Sequence, residues 1–199
     1  LADSLYALGN YDAASDLYTK IREQAKGTPV AGEALLGLGW VSFSRKDWPQ
    51  AAARFEGAAK ELRGAPQAEA WLRASDAEFN AGSYAAAQQS YRQAAQVAGN
   101  PLTKSDAHMG AGWSAYRQRD FNQAYGEWGN ALAVAPEDGP RAEAAYWMGW
   151  ALFRQGRWSE AAQAYADLVR RWPGSHLLPN ALVQEGNCLQ NAGRCQDAL

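Results

Sequence analysis

Few residues of this 199-residue chain are of a type and spacing that could do chemistry. The string Gly110-Ala111-Gly112-Trp113-Ser114-Ala115 spells the dinucleotide fingerprint, whose glycines let a backbone turn tightly against a pyrophosphate at a helix start. That chemistry requires a strand before the string and a helix after it. Here the string falls inside a helical segment, and Gly37-Leu38-Gly39 holds the same register in an earlier copy, so these glycines read as packing residues. The two histidines have no metal-ligand company: His108 takes a half-buried position held elsewhere by Leu35 and Trp71, and His176 lies in a connection. Cys188 and Cys195 stand seven residues apart across a helix end and can bridge only if the turn brings their Cα atoms within about 7 Å. Otherwise Cys188 is a buried thiol in a small-residue position, matching Ala77 and Ala151. No catalytic residue, cofactor site or metal site is expected.

Helices must carry whatever site there is. The chain holds 42 Ala and 19 Gly against 6 Val, 1 Ile and 3 Thr, and so few β-branched residues cannot furnish a sheet of ordinary size. Apolar residues at 47% suffice for a packed core. The 19 basic and 21 acidic residues are interspersed and leave a net charge of −2, which argues against nucleic acid or an anionic membrane as the main partner. No apolar run approaches the ~20 residues that span a bilayer.

A short motif recurs: Gly or a charged residue, one further residue, an aromatic, and Ala three positions later. Its copies are Gly9-Asn10-Tyr11 with Ala14, Lys46-Asp47-Trp48 with Ala51, Gly82-Ser83-Tyr84 with Ala87, Arg119-Asp120-Phe121 with Ala124, and Gly156-Arg157-Trp158 with Ala161. A sixth, Gly193-Arg194-Cys195 with Ala198, replaces the aromatic by Cys. Successive copies are 36 or 37 residues apart. Seven positions after the turn aromatic stands another aromatic (Tyr18, Phe55, Tyr91, Trp128, Tyr165); nine before it the residue is small (Ala2, Gly39, Ser75, Gly112, Gly149, Gly186). Small and large residues at such fixed offsets mark two helices in close approach. The spacing predicts a first helix before each turn, such as Arg141–Arg154, and a second after it, such as Ser159–Arg171. Pro49 suits the first position of a second helix, and the other seven prolines fall between units, where they stop one helix and space it from the next.

In Ala142–Ser175 the residues Tyr146, Gly149, Leu152, Phe153, Gly156, Trp158, Ala161, Tyr165 and Pro173 fall where the tetratricopeptide repeat family places its recurring aromatic, small, aliphatic and proline residues. The chain resembles that family along its whole length. Its period exceeds the family's usual value of about 34 by two or three residues, all in the connection between units. That connection, Arg171-Trp172-Pro173-Gly174-Ser175 leading into Pro179-Asn180-Ala181, is similar to those of bacterial envelope members such as the Tol–Pal-associated division coordinator and the outer-membrane assembly lipoproteins. The resemblance implies an all-α, right-handed α-solenoid of stacked antiparallel helical hairpins. It divides into a partial unit 1–31, complete units 32–67, 68–104, 105–141 and 142–178, and a partial unit 179–199. Because the chain opens within a first helix and closes just after the sixth Ala, a fragment of a longer protein is expected, with further repeats at both ends.

In the resembled family the first helices line a concave groove, and the residue after the small position faces it. Its occupants here are Trp40, Asp76, Trp113, Trp150 and Asn187. Tryptophan is enriched in interface hot spots, so three of them in one register are candidate anchors for a partner. They can equally pack on neighbouring first helices or be covered by flanking units. Phe43, Phe79, Tyr116 and Phe153 border the same face at a position where the family commonly has an aromatic, and read as packing residues. Glu33, Glu69, Asp106 and Glu143 sit near first-helix starts, where a carboxylate suits the dipole; Arg73, Arg117 and Arg154 project from the same helices and leave the sign of the groove open. The expected function is a non-catalytic scaffold holding a partner protein or extended peptide, in a bacterial periplasmic or outer-membrane assembly, with the cytoplasm as the other compartment open to it. Two alternatives stand beside it: the accessory superhelix of a larger enzyme, and a polysaccharide-export component with glycan stacked on the tryptophans.

Overall fold

The computed structural model describes residues 1–193, and Cys195 and Ala198 of the sixth copy, with the Cys188–Cys195 pairing, lie outside them. Among the described residues there are eleven helices and no strand. They are α1 (Ala2–Ala7), α2 (Tyr11–Gln24), α3 (Pro29–Ser44), α4 (Trp48–Glu61), α5 (Ala65–Asn80), α6 (Tyr84–Val97), α7 (Pro101–Arg117), α8 (Phe121–Val134), α9 (Asp138–Arg154), α10 (Trp158–Arg171) and α11 (Leu178–Asn191). Leu1–Gly99 forms one compact unit with α1 to α6, and the chain from Asn100 onward forms a second with α7 to α11. In the first unit α1 packs on α2, α3 on α4 and α5 on α6, and the hairpins join through α2–α3 and α4–α5. In the second, α7–α8 and α9–α10 are the hairpins, joined through α8–α9 and followed by α11 on α10. The expected all-α solenoid of helical hairpins is the architecture found.

The recurrent turn has one geometry. Its first residue is left-handed in every copy: Gly9, Gly82, Gly156 and Gly193 have φ of 74–78°, and Lys46 and Arg119 take 59° and 63°. Glycine adopts that conformation without steric cost, which is why it recurs. In the Lys46 copy, the Lys46 amide donates to the Phe43 carbonyl at 2.9 Å and the Asp47 amide to Ser42 at 3.0 Å. Those two bonds close the first helix. Asp47 then caps the second helix by accepting from the Gln50 amide at 3.2 Å, as Asn10 and Asp120 do in their copies. Across the turns of the first five copies the two aromatics pair, with Tyr6–Tyr11, Phe43–Trp48, Phe79–Tyr84, Tyr116–Phe121 and Phe153–Trp158 centroids 4.8–5.6 Å apart.

The small position allows the close approach that its spacing predicts. A Cβ on Gly39 would lie 2.5 Å from the Phe55 ring, on Gly112 2.3 Å from Trp128, and on Gly149 2.8 Å from Tyr165. Phe55, Trp128 and Tyr165 are wholly buried. Gly37 does the same for the preceding hairpin, where a Cβ would lie 2.4 Å from Tyr18. The Gly110–Ala115 string thus lies inside α7, as a packing surface.

The prolines correct one expectation. Pro29 and Pro101 occupy the first position of α3 and α7, and Pro66 and Pro179 the second position of α5 and α11, so they start helices more than they stop them. Their missing N–H is no loss where the first turn has no acceptor to offer. Pro49 is second, not first, in α4. For the same reason α9 begins at Asp138, before Pro140, and not at Arg141.

Candidate functional site

The register after the small position lies one residue beyond the point where the two helices of a hairpin touch. A side chain there leaves the core at its edge, and Trp40, Asp76, Trp113 and Trp150 are all half-buried.

In the first unit this register is a polar chain. Trp40 packs edge-on against Phe43 and Phe55, with centroids 5.6 and 5.4 Å away. The Arg73 guanidinium of α5 sits 5.3 Å from the Trp40 ring centroid, a cation–π contact between neighbouring first helices. Arg73 in turn donates to Asp76 at 2.9 Å, and the Tyr91 hydroxyl of α6 donates to Asp76 at 2.6 Å. Burial and the adjacent Asp76 carboxylate push the Tyr91 phenol well above its ordinary pKa, so it stays a donor. Asp3, in the same register of the opening copy, accepts from Tyr18 at 2.5 Å.

In the second unit the register is aromatic. Trp113 lies 5.3 Å from Trp128 and 4.4 Å from Trp147 of α9, both edge-to-face. Trp150 stacks on Phe153 at 5.5 Å with the planes 14° apart, and its Nε1 donates to the Tyr116 hydroxyl at 3.1 Å. Arg154 donates to the same hydroxyl, with its guanidinium 5.3 Å from the Tyr116 centroid and 4.8 Å from that of Phe121. Arg154 and Arg117 are exposed. Trp150 leaves Tyr165 without the acid that Tyr18 and Tyr91 find, and the Tyr165 hydroxyl is buried with no partner among the described residues.

Sequence reasoning missed two buried polar pairs. His108 of α7 and Glu127 of α8, 19 residues apart in the chain, meet Nδ1 to Oε2 at 2.9 Å. Glu78 is buried in α5 at a position occupied in other copies by Leu5, Ser42, Ala115, Leu152 and Leu189, and it hydrogen-bonds to Ser90 and Glu56. Burial is the main cause that lifts its pKa to about 7. The only signal was a Glu in an otherwise uncharged register. Cys188 is fully buried, which pushes its thiol up to about 11. No three His, Cys, Asp or Glu side chains group as metal ligands among the described residues, and no described helix is long and apolar enough to cross a membrane.

Left-handed turns, glycine-to-ring contacts and paired turn aromatics, repeated in register, define a helical-hairpin repeat protein. The tetratricopeptide repeat model matches residues 1–66 and 109–176, and the chain belongs to that family. Several solved structures share the fold. YrrB, described as a tetratricopeptide protein with an unusual peptide-binding site, is 19% identical with a TM-score of 0.66, over 93% of this chain and 88% of that one. PilF of Pseudomonas aeruginosa is 18% identical with a TM-score of 0.63, over 100% of this chain and 84% of that one. The apo form of RapI reaches a TM-score of 0.75 at 12% identity, over 94% of this chain and 56% of that one. No curated protein matches the sequence.

Proposed function

We propose that this protein is a non-catalytic scaffold whose first-helix surfaces hold an extended peptide segment of a partner protein. The observation that carries the reading is the cluster of Trp150, Tyr116 and Arg154. It ties α7 to α9 through hydrogen bonds to one phenol, with Trp150 and Tyr116 half-buried and Arg154 exposed. A peptide laid across these two helices meets an indole stacked flat on Phe153 and a guanidinium already held in place. Fixing both groups beforehand lowers the entropic cost of binding, and Trp, Tyr and Arg are the residues that dominate interface energetics. Trp113 adds apolar area to the same helices; Trp40, Phe43 and Asp76 offer the first unit's counterpart. Family membership and the peptide-binding site described for YrrB support this class of partner. We place the scaffold in a bacterial envelope assembly, on the likeness of its long connections to those of envelope members.

A peptide selected on the full chain from a displayed library and then titrated calorimetrically should lose about tenfold in affinity with Trp150→Ala or Arg154→Ala, at unchanged helicity. Selected peptides indifferent to both changes would overturn the assignment. Binding of cell-wall oligosaccharides in place of peptides would favour glycan recognition on the same stack.

A further inference from the structure

In the first unit α2 and α4 stand apart over α3 and enclose a cleft of about 1090 Å³. Its floor is the apolar Ala31, Leu35 and Leu38 of α3. Its walls carry five cations, Arg22, Lys26, Arg54, Lys60 and Arg63, against two carboxylates, Glu23 and Glu61. This is a positive patch on a chain of net charge −2. Glu61 is taken by Arg22 at 3.7 Å, and Lys60 pairs with Glu56 at 3.3 Å. Among the described residues, Lys26, Arg54 and Arg63 make no ion pair.

Arg54 is the residue that asks for a ligand. Its Nη1 donates to the Leu38 carbonyl at 2.9 Å and to Ser42 Oγ at 2.8 Å, which fixes the guanidinium beside the floor while its other N–H groups find no partner among the described residues. A half-buried guanidinium with only neutral hydrogen-bond acceptors gives up hydration, and the nearby Asp47 carboxylate offsets that loss only in part. Burial accordingly lowers its pKa. The same position is Leu17, Ser90, Glu127 and Ala164 in the other hairpins, so repeat packing does not require a cation there.

We propose that this cleft is a second docking surface, which takes an acidic, extended segment of a partner protein with one carboxylate on Arg54 and others on Lys26 and Arg63. A carboxylate matches the planar guanidinium fork. The apolar floor and the spread of cations around it suit a peptide with alternating acidic and apolar side chains better than a compact anion. The surface uses none of Trp40, Trp113 or Trp150, so it stands or falls separately from the first-helix site.

The test is calorimetric titration of the whole chain with a capped Glu-Glu-Leu-Glu-Glu-Leu peptide, its Gln-Gln-Leu-Gln-Gln-Leu analogue, and inorganic phosphate, at low and moderate salt. We expect the acidic peptide to bind, to weaken as salt rises, and to outbind the Gln analogue by at least about tenfold. Arg54→Gln should abolish binding. Because Arg54 also bonds α3, the exposed Lys26→Glu is the second variant, with an expected loss of about tenfold and unchanged melting. Trp150→Ala should leave the titration untouched. Absence of binding, equal binding of the Gln analogue, indifference to Lys26→Glu, equal competition by phosphate, or loss with Trp150→Ala would each overturn the proposal.

Discussion

Trp40 and Trp113 hold the same register in the two units, yet their neighbours on the next first helix are of opposite kinds. Trp40 is covered by the Arg73 guanidinium, which continues through Asp76 to Tyr91; Trp113 is covered by Trp147, whose Nε1 is buried without a partner. Arg73 and Trp147 themselves share a register, eleven residues before the turn aromatic. One backbone framework therefore carries a hydrogen-bonded surface in one unit and an aromatic one in the other. The framework is set by glycines and turn residues, and the surface chemistry is free to diverge because it sits outside the hairpin contact.

Emptying the aromatic side should give the largest effect. Trp128→Ala removes a wholly buried indole from under Gly112 and Trp113, and should cost ~3–5 kcal/mol by urea unfolding. Trp40→Ala, at a half-buried position, should cost distinctly less. Equal losses would mean that the two registers carry the same load.

A smaller contrast is in pH. The Glu78 carboxyl of the first unit is lifted to about 7 by burial, whereas the second unit has Ala115 and Leu152 in its place. A carboxyl raised above its unfolded value of about 4.3 stabilises the fold fully below that pH, and its contribution fades as pH rises through 7. The first unit should therefore lose on the order of 2 kcal/mol between about pH 5 and 8, with a smaller loss in the second, where burial raises the Asp106 carboxyl. Hydrogen exchange resolved by helix would show it, and Glu78→Gln should flatten the profile.

The smallest effect comes from moving one surface toward the other. Trp150→Asp offers the orphaned Tyr165 hydroxyl the acceptor that Asp76 gives Tyr91, and should leave the chain about 1 kcal/mol more stable than Trp150→Ala. Identical urea midpoints would show that Tyr165 does not find the new carboxylate.

The hairpin was legible in the sequence because its determinants repeat. Gly39, Gly112 and Gly149 recur at one offset from Phe55, Trp128 and Tyr165, and the left-handed turn selects Gly in four of six copies. Lys46 and Arg119, which take that conformation at a steric cost, show that two capping bonds hold the turn even without glycine. The site was legible only as a register. That Arg73 reaches Trp40 and that Trp150 reaches Tyr116 depends on contacts 33 and 34 residues apart, between hairpins whose side chains do not repeat. The basic cleft was hidden for a related reason. Its cations come from two separate stretches, 22–26 and 54–63, each with nearby acids, and only folding sets all five around one space.

The turn inside each hairpin places the last bonds of one helix and the cap of the next on consecutive residues, so it has no slack for an added residue. The connections between hairpins are under no such constraint: three residues separate α4 from α5, and six separate α10 from α11. Drift in chain length is thereby channelled to one edge of each unit. The joints there are where a foreign loop can be spliced, while the inner bends act as fixed punctuation.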